Sequence, residues 1–220
     1  MKVTILKEIL EILPNFNIIA YTMDVKVEDS KITEPIISEY ENKIREEYSL
    51  ADVLNIPLIK EARDGYKALG KDPSRYRVAC ESLLRRLVKG YGLYRINNVV
   101  DAGNILSIAL FRSTAVLDLD KLQGDITIRL GTQDDEYYGI GRGLINVDKI
   151  PLYCDEISPF GCPTSDTERT KITPNTKRVL LFVICFQDTY IEESKAMAID
   201  VFKKYAYAQN IKEIEVIKEK

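Results

Sequence analysis

Apolar positions recur along this chain at two periods, and the switches between the periods mark its elements. Tyr76, Ala79, Cys80, Leu83, Leu84, Leu87 and Val88 fall at i, i+3, i+4, i+7, i+8, i+11 and i+12, which predicts an amphipathic helix ending near Gly90. Ile36, Ile37, Tyr40, Ile44 and Tyr48 repeat at helical spacing among Glu39, Glu41, Glu46 and Glu47, an apolar stripe under a solvated acidic face. Pro57 to Leu69 reads as another helix, with Pro57 in its first turn and Gly70 as its stop. Ile5, Ile9, Leu10, Ile12 and Leu13 predict a short helix that stops before Pro14. From Ile18 to Val27 the period becomes two, with Ile19, Tyr21, Met23, Val25 and Val27 on one side of an expected strand.

The stretch from Ile96 to Gly131 is the densest in signals. Val99, Val100 and the run from Ile105 to Leu110 predict a helix, and Asn97, Asn98 or Asp101 is placed to accept from its first unpaired amides. Ala115 to Leu119, and Ile126, Ile128 and Leu130 after the turn at Gly124, alternate as a hairpin with one buried face. Gly139, Gly141 and Gly143 mark a tight turn, because GIGRG lacks the spacing of a dinucleotide fingerprint and no helix follows it. Leu144 to Asp155 reads as a strand pair, or one bent strand, around Pro151. Val179 to Phe186 is a run of eight apolar residues, a central strand buried on both faces. Ile191, Ala198, Val201, Phe202, Tyr205 and Ala208 line one side of a long helix after Tyr190, and Ile211, Ile214 and Val216 close the chain as an edge strand.

Composition narrows the chemistry. A chain of 220 residues that is 45% hydrophobic and 30% charged suits a globular protein, and no apolar run approaches the roughly 20 residues of a membrane helix. The first residues, MKVTILKEILEILPNF, carry Lys7, Glu8 and Glu11 and no small-residue cleavage site, so a cytoplasmic protein without a membrane partner is expected. Cys80, Cys154, Cys162 and Cys185 show no zinc-type spacing, and no metal or other cofactor is expected. There is no histidine, which excludes Ser-His-Asp triads, Cys-His pairs and an imidazole base. Any catalysis falls to carboxylates, Lys, Tyr, hydroxyls, backbone dipoles or the substrate.

A net charge of -3 argues against a general nucleic-acid binder, and no DNA partner is expected. The distribution is uneven. Arg63 to Arg95 holds nine basic residues against three acidic, whereas Asp24 to Ala62 holds ten acidic against five basic. Arg75, Arg77, Arg85, Arg86 and Lys89 stand on the polar side of the helix around Leu84. They read equally well as stems lying along the core edge and as contacts to RNA phosphates. A second polar concentration, SPFGCPTSDTERTKITPNT from Ser158 to Thr176, reads as a loop that gathers hydroxyls, two carboxylates and an arginine. Its Ser, Asp and Thr side chains either satisfy their own backbone or form a binding site.

VVDAGN, then LDLDKLQGDITIRLG, the strands near Leu144 to Asp155 and NTKRVLLFVICF resemble, in the same order, the B3/B4 domain of the phenylalanyl-tRNA synthetase beta chain. The resemblance runs from about Arg63 to Val216. It implies an α+β fold, a three-layer β/β/α sandwich over residues 57–217 carrying an N-terminal α/β extension over residues 1–56. It also implies a pocket that hydrolyses a wrongly esterified tRNA, here in trans. The partner would be tRNA or aminoacyl-tRNA, or a small amino-acid-like ligand. Where bacterial synthetases have a His shortly before the Asp-Leu-Asp strand this chain has Ala115, and where they place a Glu in the buried strand it has Phe182. Asp166 and Arg169 are the candidates for catalysis. Asn104, Gly161, Ser165 and Thr170 are the candidates for substrate binding, with Gly161 permitting close backbone approach. The other classes consistent with these residues are a non-catalytic module that binds tRNA, an amino acid or a small molecule, and a purely structural protein.

Overall fold

Residues 178–185 form the strand on which the protein is built, and both of its faces are buried because the chain supplies a core on each side. The computed structural model describes residues 1–220. In chain order the elements are β1 (Val3–Ile5), α1 (Lys7–Leu10), β2 (Asn17–Asp24), α2 (Glu34–Glu47), α3 (Leu50–Asn55), α4 (Pro57–Ala68) and α5 (Ala79–Val88). Then come α6 (Asn98–Leu110), β3 (Thr114–Asp118), β4 (Ile126–Leu130), β5 (Tyr138–Gly139), β6 (Gly143–Leu144), β7 (Pro151–Cys154), β8 (Pro159–Cys162) and β9 (Ser165–Asp166). β10 (Arg178–Cys185), α7 (Ile191–Tyr205), β11 (Gln209–Ile214) and β12 (Val216–Lys218) complete the chain.

One sheet has the order β11-β2-β10-β3 and the other β12-β1-β4-β7-β8-β9, with β5 and β6 as a separate small ribbon. Alternation along β10 assigns its side chains to two cores. Leu180, Phe182 and Ile184 meet the second sheet through Ile126, Ile128, Leu152 and Phe160, whereas Val179, Leu181 and Val183 meet the helices through Leu84, Ile105, Leu106 and Phe202. The layers are therefore sheet, sheet and helices, the expected β/β/α sandwich. At about 25 cal/mol per Å² of apolar surface removed from water, these two cores are the principal stabilising term.

Three expectations change. Ala115 to Leu119 and Ile126 to Leu130 do not form a hairpin: β3 pairs with β10 in one sheet, and β4 pairs with β1 and β7 in the other. Both bury a face in the same inter-sheet core, and alternation records that face without recording the partner strand. The first helix is reduced to α1, because Val3 and Ile5 pair with β4 and β12. Residues 1–56 contribute β1 and β2, both interior to their sheets. The last apolar run divides into β11 and β12, one edge strand in each sheet. No helix is long and apolar enough to cross a membrane.

Candidate functional site

The VVDAGN segment fixes where α6 lies. The Asn97 side chain caps the helix, accepting from the amides of Val99 (3.1 Å) and Val100 (2.9 Å). Buried Asn98 accepts from the Glu28 amide (2.6 Å) and donates to the carbonyls of Lys26 (2.9 Å) and Tyr205 (2.8 Å). Asp101 accepts from the Ile96 amide (3.1 Å) and the Thr33 hydroxyl (2.8 Å). Gly103 then brings α6 against β3: a Cβ there would stand 2.5 Å from Val116 Cγ2, and the Thr114 hydroxyl donates to the Gly103 carbonyl at 2.9 Å. Gly103→Ala is expected to lower stability by about 1–3 kcal/mol through overpacking. Urea denaturation checks this, and adding Val116→Ala should restore most of the loss.

This contact leaves a cavity of about 230 Å³ between α6, the outer edge strand β3 and the segment after β9. Asn104 faces it from the helix, Thr114 and Val116 from the strand, and Asp166, Lys171 and Ile172 from the far side, with exposed Ile96 and Ile140 also lining it. Asp166 is presented by the β8–β9 hairpin, opposite Gly161 in the ladder. A Cβ on Gly161 would stand 2.6 Å from the Tyr153 ring and 3.0 Å from Asp166 Oδ1, so the glycine makes room for both groups. The hairpin is held from outside the ladder as well: the Tyr137 hydroxyl donates to the Ser165 carbonyl (2.5 Å) and the Ile140 amide to the Asp166 carbonyl (2.9 Å).

Asp166 itself is a half-buried residue whose carboxyl is enclosed, and burial pushes that carboxyl up to about 8 with no compensating cation or donor. Behind it lie further buried polar groups. Burial holds the hydroxyls of Tyr153 and Tyr137 well above their usual range and the Cys162 thiol at about 11, and the Tyr153 hydroxyl has no hydrogen-bond partner. A carboxyl of this kind is neutral at pH 7 and donates a hydrogen bond. When it ionises it becomes a strong proton acceptor, or the partner of an ammonium.

The sequence-predicted residues separate into three places. Asn104 and Asp166 meet across the cavity, with Gly161 directly behind Asp166. Ser165 contributes its carbonyl to the Tyr137 and Cys162 contacts, and its hydroxyl lies 3.3 Å from the Asp166 carbonyl. Arg169 is turned the other way. Its guanidinium donates to both oxygens of Asp155 (2.7 and 3.1 Å) and to the carbonyls of Lys121 (2.8 Å) and Ser158 (3.2 Å). Geometrically Arg169 is a brace between the β7–β8 turn and the segment after β9. Thr170 is fully buried outside the cavity lining, its hydroxyl without a partner. Thr114, Lys171 and Gly103 join the site only through the fold, and of the three only the glycine, inside an otherwise apolar helix, carries a signal in the sequence. The Ser158–Thr176 segment, expected as a loop, contains β8 and β9 and forms the edge of the larger sheet.

Arg77, Arg85, Arg86 and Lys89 line a separate cleft of about 240 Å³ with Ser82 and Tyr91, and Arg75 stands outside it before the helix. Arg77 is 3.7 Å from buried Glu81, which also takes Arg63 at 2.9 Å, while Arg85, Arg86 and Lys89 have no carboxylate within salt-bridge distance. Arg86 stacks over Tyr94 at 4.1 Å, and Tyr91, Tyr94 and Ile96 are all exposed. The strap from Tyr91 to Ile96 joins this cleft to the cavity over six residues, at most about 18 Å from the first to the last.

The fold and the site can be placed among known proteins. The structure superposes on the crystal structure of an N-terminal fragment of the phenylalanyl-tRNA synthetase beta subunit from Pyrococcus horikoshii with a TM-score of 0.56. At 12% identity, over 99% of this chain and 52% of that one, the match defines the fold class. Residues 61–213 match the model of the B3/4 domain, and the chain belongs to that family. It is also 28% identical over 127 residues to the phenylalanine–tRNA ligase beta subunit of Fusobacterium nucleatum subsp. nucleatum, covering 56% of this chain but 16% of that subunit. Within the family frame Ala115 and Phe182 are direct cross-strand partners, both buried in the inter-sheet core, where Phe182 meets Tyr153 edge-on at 5.4 Å. Ala115 and Phe182 together form a packed apolar pair.

Proposed function

We propose that this protein binds the aminoacyl end of a tRNA and hydrolyses the ester in trans, with the cavity between α6 and β3 as the site. The observation that carries the reading is the uncompensated carboxyl of Asp166 facing that cavity, with Asn104 across from it. A buried acid without a partner destabilises a fold, and such groups cluster where a ligand or a reaction uses them. Asp166 in its ionised form takes the proton of a water attacking the ester, and Asn104 and Thr114 orient the substrate. Editing has a physical rationale, since binding alone separates amino acids that differ by small groups only modestly. The basic cleft and the exposed aromatic strap supply phosphate contacts and stacking surfaces on the approach.

The test is deacylation of a panel of mischarged tRNAs, starting with tyrosine on the phenylalanine tRNA. Hydrolysis of one pair well above its spontaneous rate is expected, and no hydrolysis across the panel overturns the catalytic reading. The Ala115–Phe182 pair favours a second reading, a module that binds the aminoacyl end without turning it over, and it predicts saturable binding in the same panel with no hydrolysis. In either case Arg85→Ala and Lys89→Ala are expected to weaken tRNA binding evenly across tRNAs. Each should lower the slope of log K against log salt by roughly 0.7–0.9. Filter binding at several salt concentrations measures this, and an unchanged slope removes α5 from the RNA path.

A further inference from the structure

On another part of the molecule, a recess of about 420 Å³ opens where the end of α2, the α3–α4 junction, the end of α6 and the start of α7 converge. Tyr48, Phe111 and Tyr190 supply aromatic surface to it, and Asp52 supplies a carboxylate, while no Lys or Arg lines it. Tyr48 and Phe111 stand edge to face with centroids 6.0 Å apart, and Tyr190 is 63% exposed. Phe111 (φ 53°) and Tyr190 (φ 50°) both hold left-handed backbone conformations, which cost an aromatic residue roughly 1–2 kcal/mol each. Phe111 at the end of α6 is half-buried against the helix-side core, whereas Tyr190 at the start of α7 is exposed and gains little from the interior in return.

The residues next to them are tied together. Arg112, 4% exposed, donates to the Thr189 carbonyl and to the Thr189 hydroxyl (3.2 Å), and that hydroxyl donates to Glu61 at 3.0–3.1 Å. A buried guanidinium therefore sets the spacing between two strained aromatic residues that share one recess. Three ring systems around a volume that lacks a cation and includes an acid are complementary to one kind of ligand. Ring faces attract a positive charge, and an N-alkylated ammonium, weakly hydrated and round, loses least on entering.

We propose that this recess is a binding site for a compact organic cation with an N-methylated ammonium head. Exposed Glu47 and Glu193, each next or near in sequence to an aromatic wall, add to the negative field, and Asp52 is held below its ordinary range by Ser49 and so stays ionised. The site is separate from the Asp166 cavity and does not rest on the function proposed for it.

The experiment is an NMR titration of the full chain with choline and, in parallel, with 3,3-dimethyl-1-butanol, which has the same shape without the charge. Saturable shifts at the recess are expected for choline, with the neutral analogue weaker by roughly tenfold. Tyr190→Phe should keep choline binding, Tyr190→Leu should lose about tenfold through loss of the ring face, and Asp166→Asn should leave it unchanged. Equal binding of the two probes, equal behaviour of the Phe and Leu variants, or the absence of a saturable shift up to tens of millimolar overturns the assignment.

Discussion

Asp166→Asn is expected to make the protein more stable and to remove most of the deacylation proposed for it. The carboxyl ionises near 8 in the folded chain and near 3.8 when exposed, so between these values the folded state holds a proton that the unfolded state has released. The sign follows. The protonated group's contribution is full below about pH 4, declines as pH rises, and is gone once pH has passed through about 8. Asparagine imitates the neutral acid at every pH. The full shift corresponds to about 6 kcal/mol, which the partial exposure of Asp166 reduces, so the variant should match the parent below pH 4 and exceed it above pH 8 by on the order of 2–4 kcal/mol, or roughly 10 °C in melting temperature. Deacylation above the spontaneous rate should rise with pH through about 8 in the parent and fall by roughly 10²–10⁴-fold in the variant. Thermal melts across pH and single-turnover deacylation check the two halves together. A variant that is less stable would make Asp166 a structural residue, and one that keeps its turnover would remove it from the reaction.

Arg169→Ala is expected to cost about 3–5 kcal/mol of stability, because it strands Asp155, whose side chain is fully buried. Burial opposes the charge on Asp155, but Arg169 and the amides of Ser158, Gln123 and Ile157 outweigh it and hold the carboxyl below its ordinary range. This contribution is present above the unfolded value and is lost as pH falls through the folded one, so the parent should weaken in acid and the variant should show less of that dependence. Arg169→Lys, which keeps a charge but not the two-pronged contact, should fall between the two. Chemical denaturation measures the cost, and turnover per folded molecule is the deciding readout. Full stability with lost turnover would return Arg169 to the chemistry, whereas turnover that tracks the folded fraction fixes it as a brace.

Arg169 also shows why the residues of the site were only partly legible beforehand. A run such as Ser165-Asp166-Thr167-Glu168-Arg169-Thr170 announces chemical groups without saying where each one points. One residue faces the cavity, another braces a turn and a third is buried outside the lining, because the β8–β9 hairpin and the tight turn after it rotate successive side chains apart. Lys171 and Thr114 are illegible for the converse reason: a single polar residue carries no pattern, and only the approach of α6 to β3 gives the two a shared volume.

Local periodicity was sufficient for the elements themselves. The spacing of Leu83, Leu84, Leu87 and Val88 specifies a helix face, the eight-residue apolar run to Phe186 specifies an interior strand, and the absence of histidine excludes whole classes of mechanism. These are properties of nearest neighbours and of composition, and nothing distant alters them. Which strands pair is a different kind of property. β3 and β4 share one alternating pattern yet belong to different sheets, and β1 and β2, close together in sequence, enter different sheets at interior positions, since burial of a face constrains which side of a strand is apolar and leaves its hydrogen-bond partner open. The ionisation of Asp166 belongs to the same class. Its chemistry is written in one letter, but its carboxyl is raised to about 8 only because the fold encloses it and brings no compensating charge.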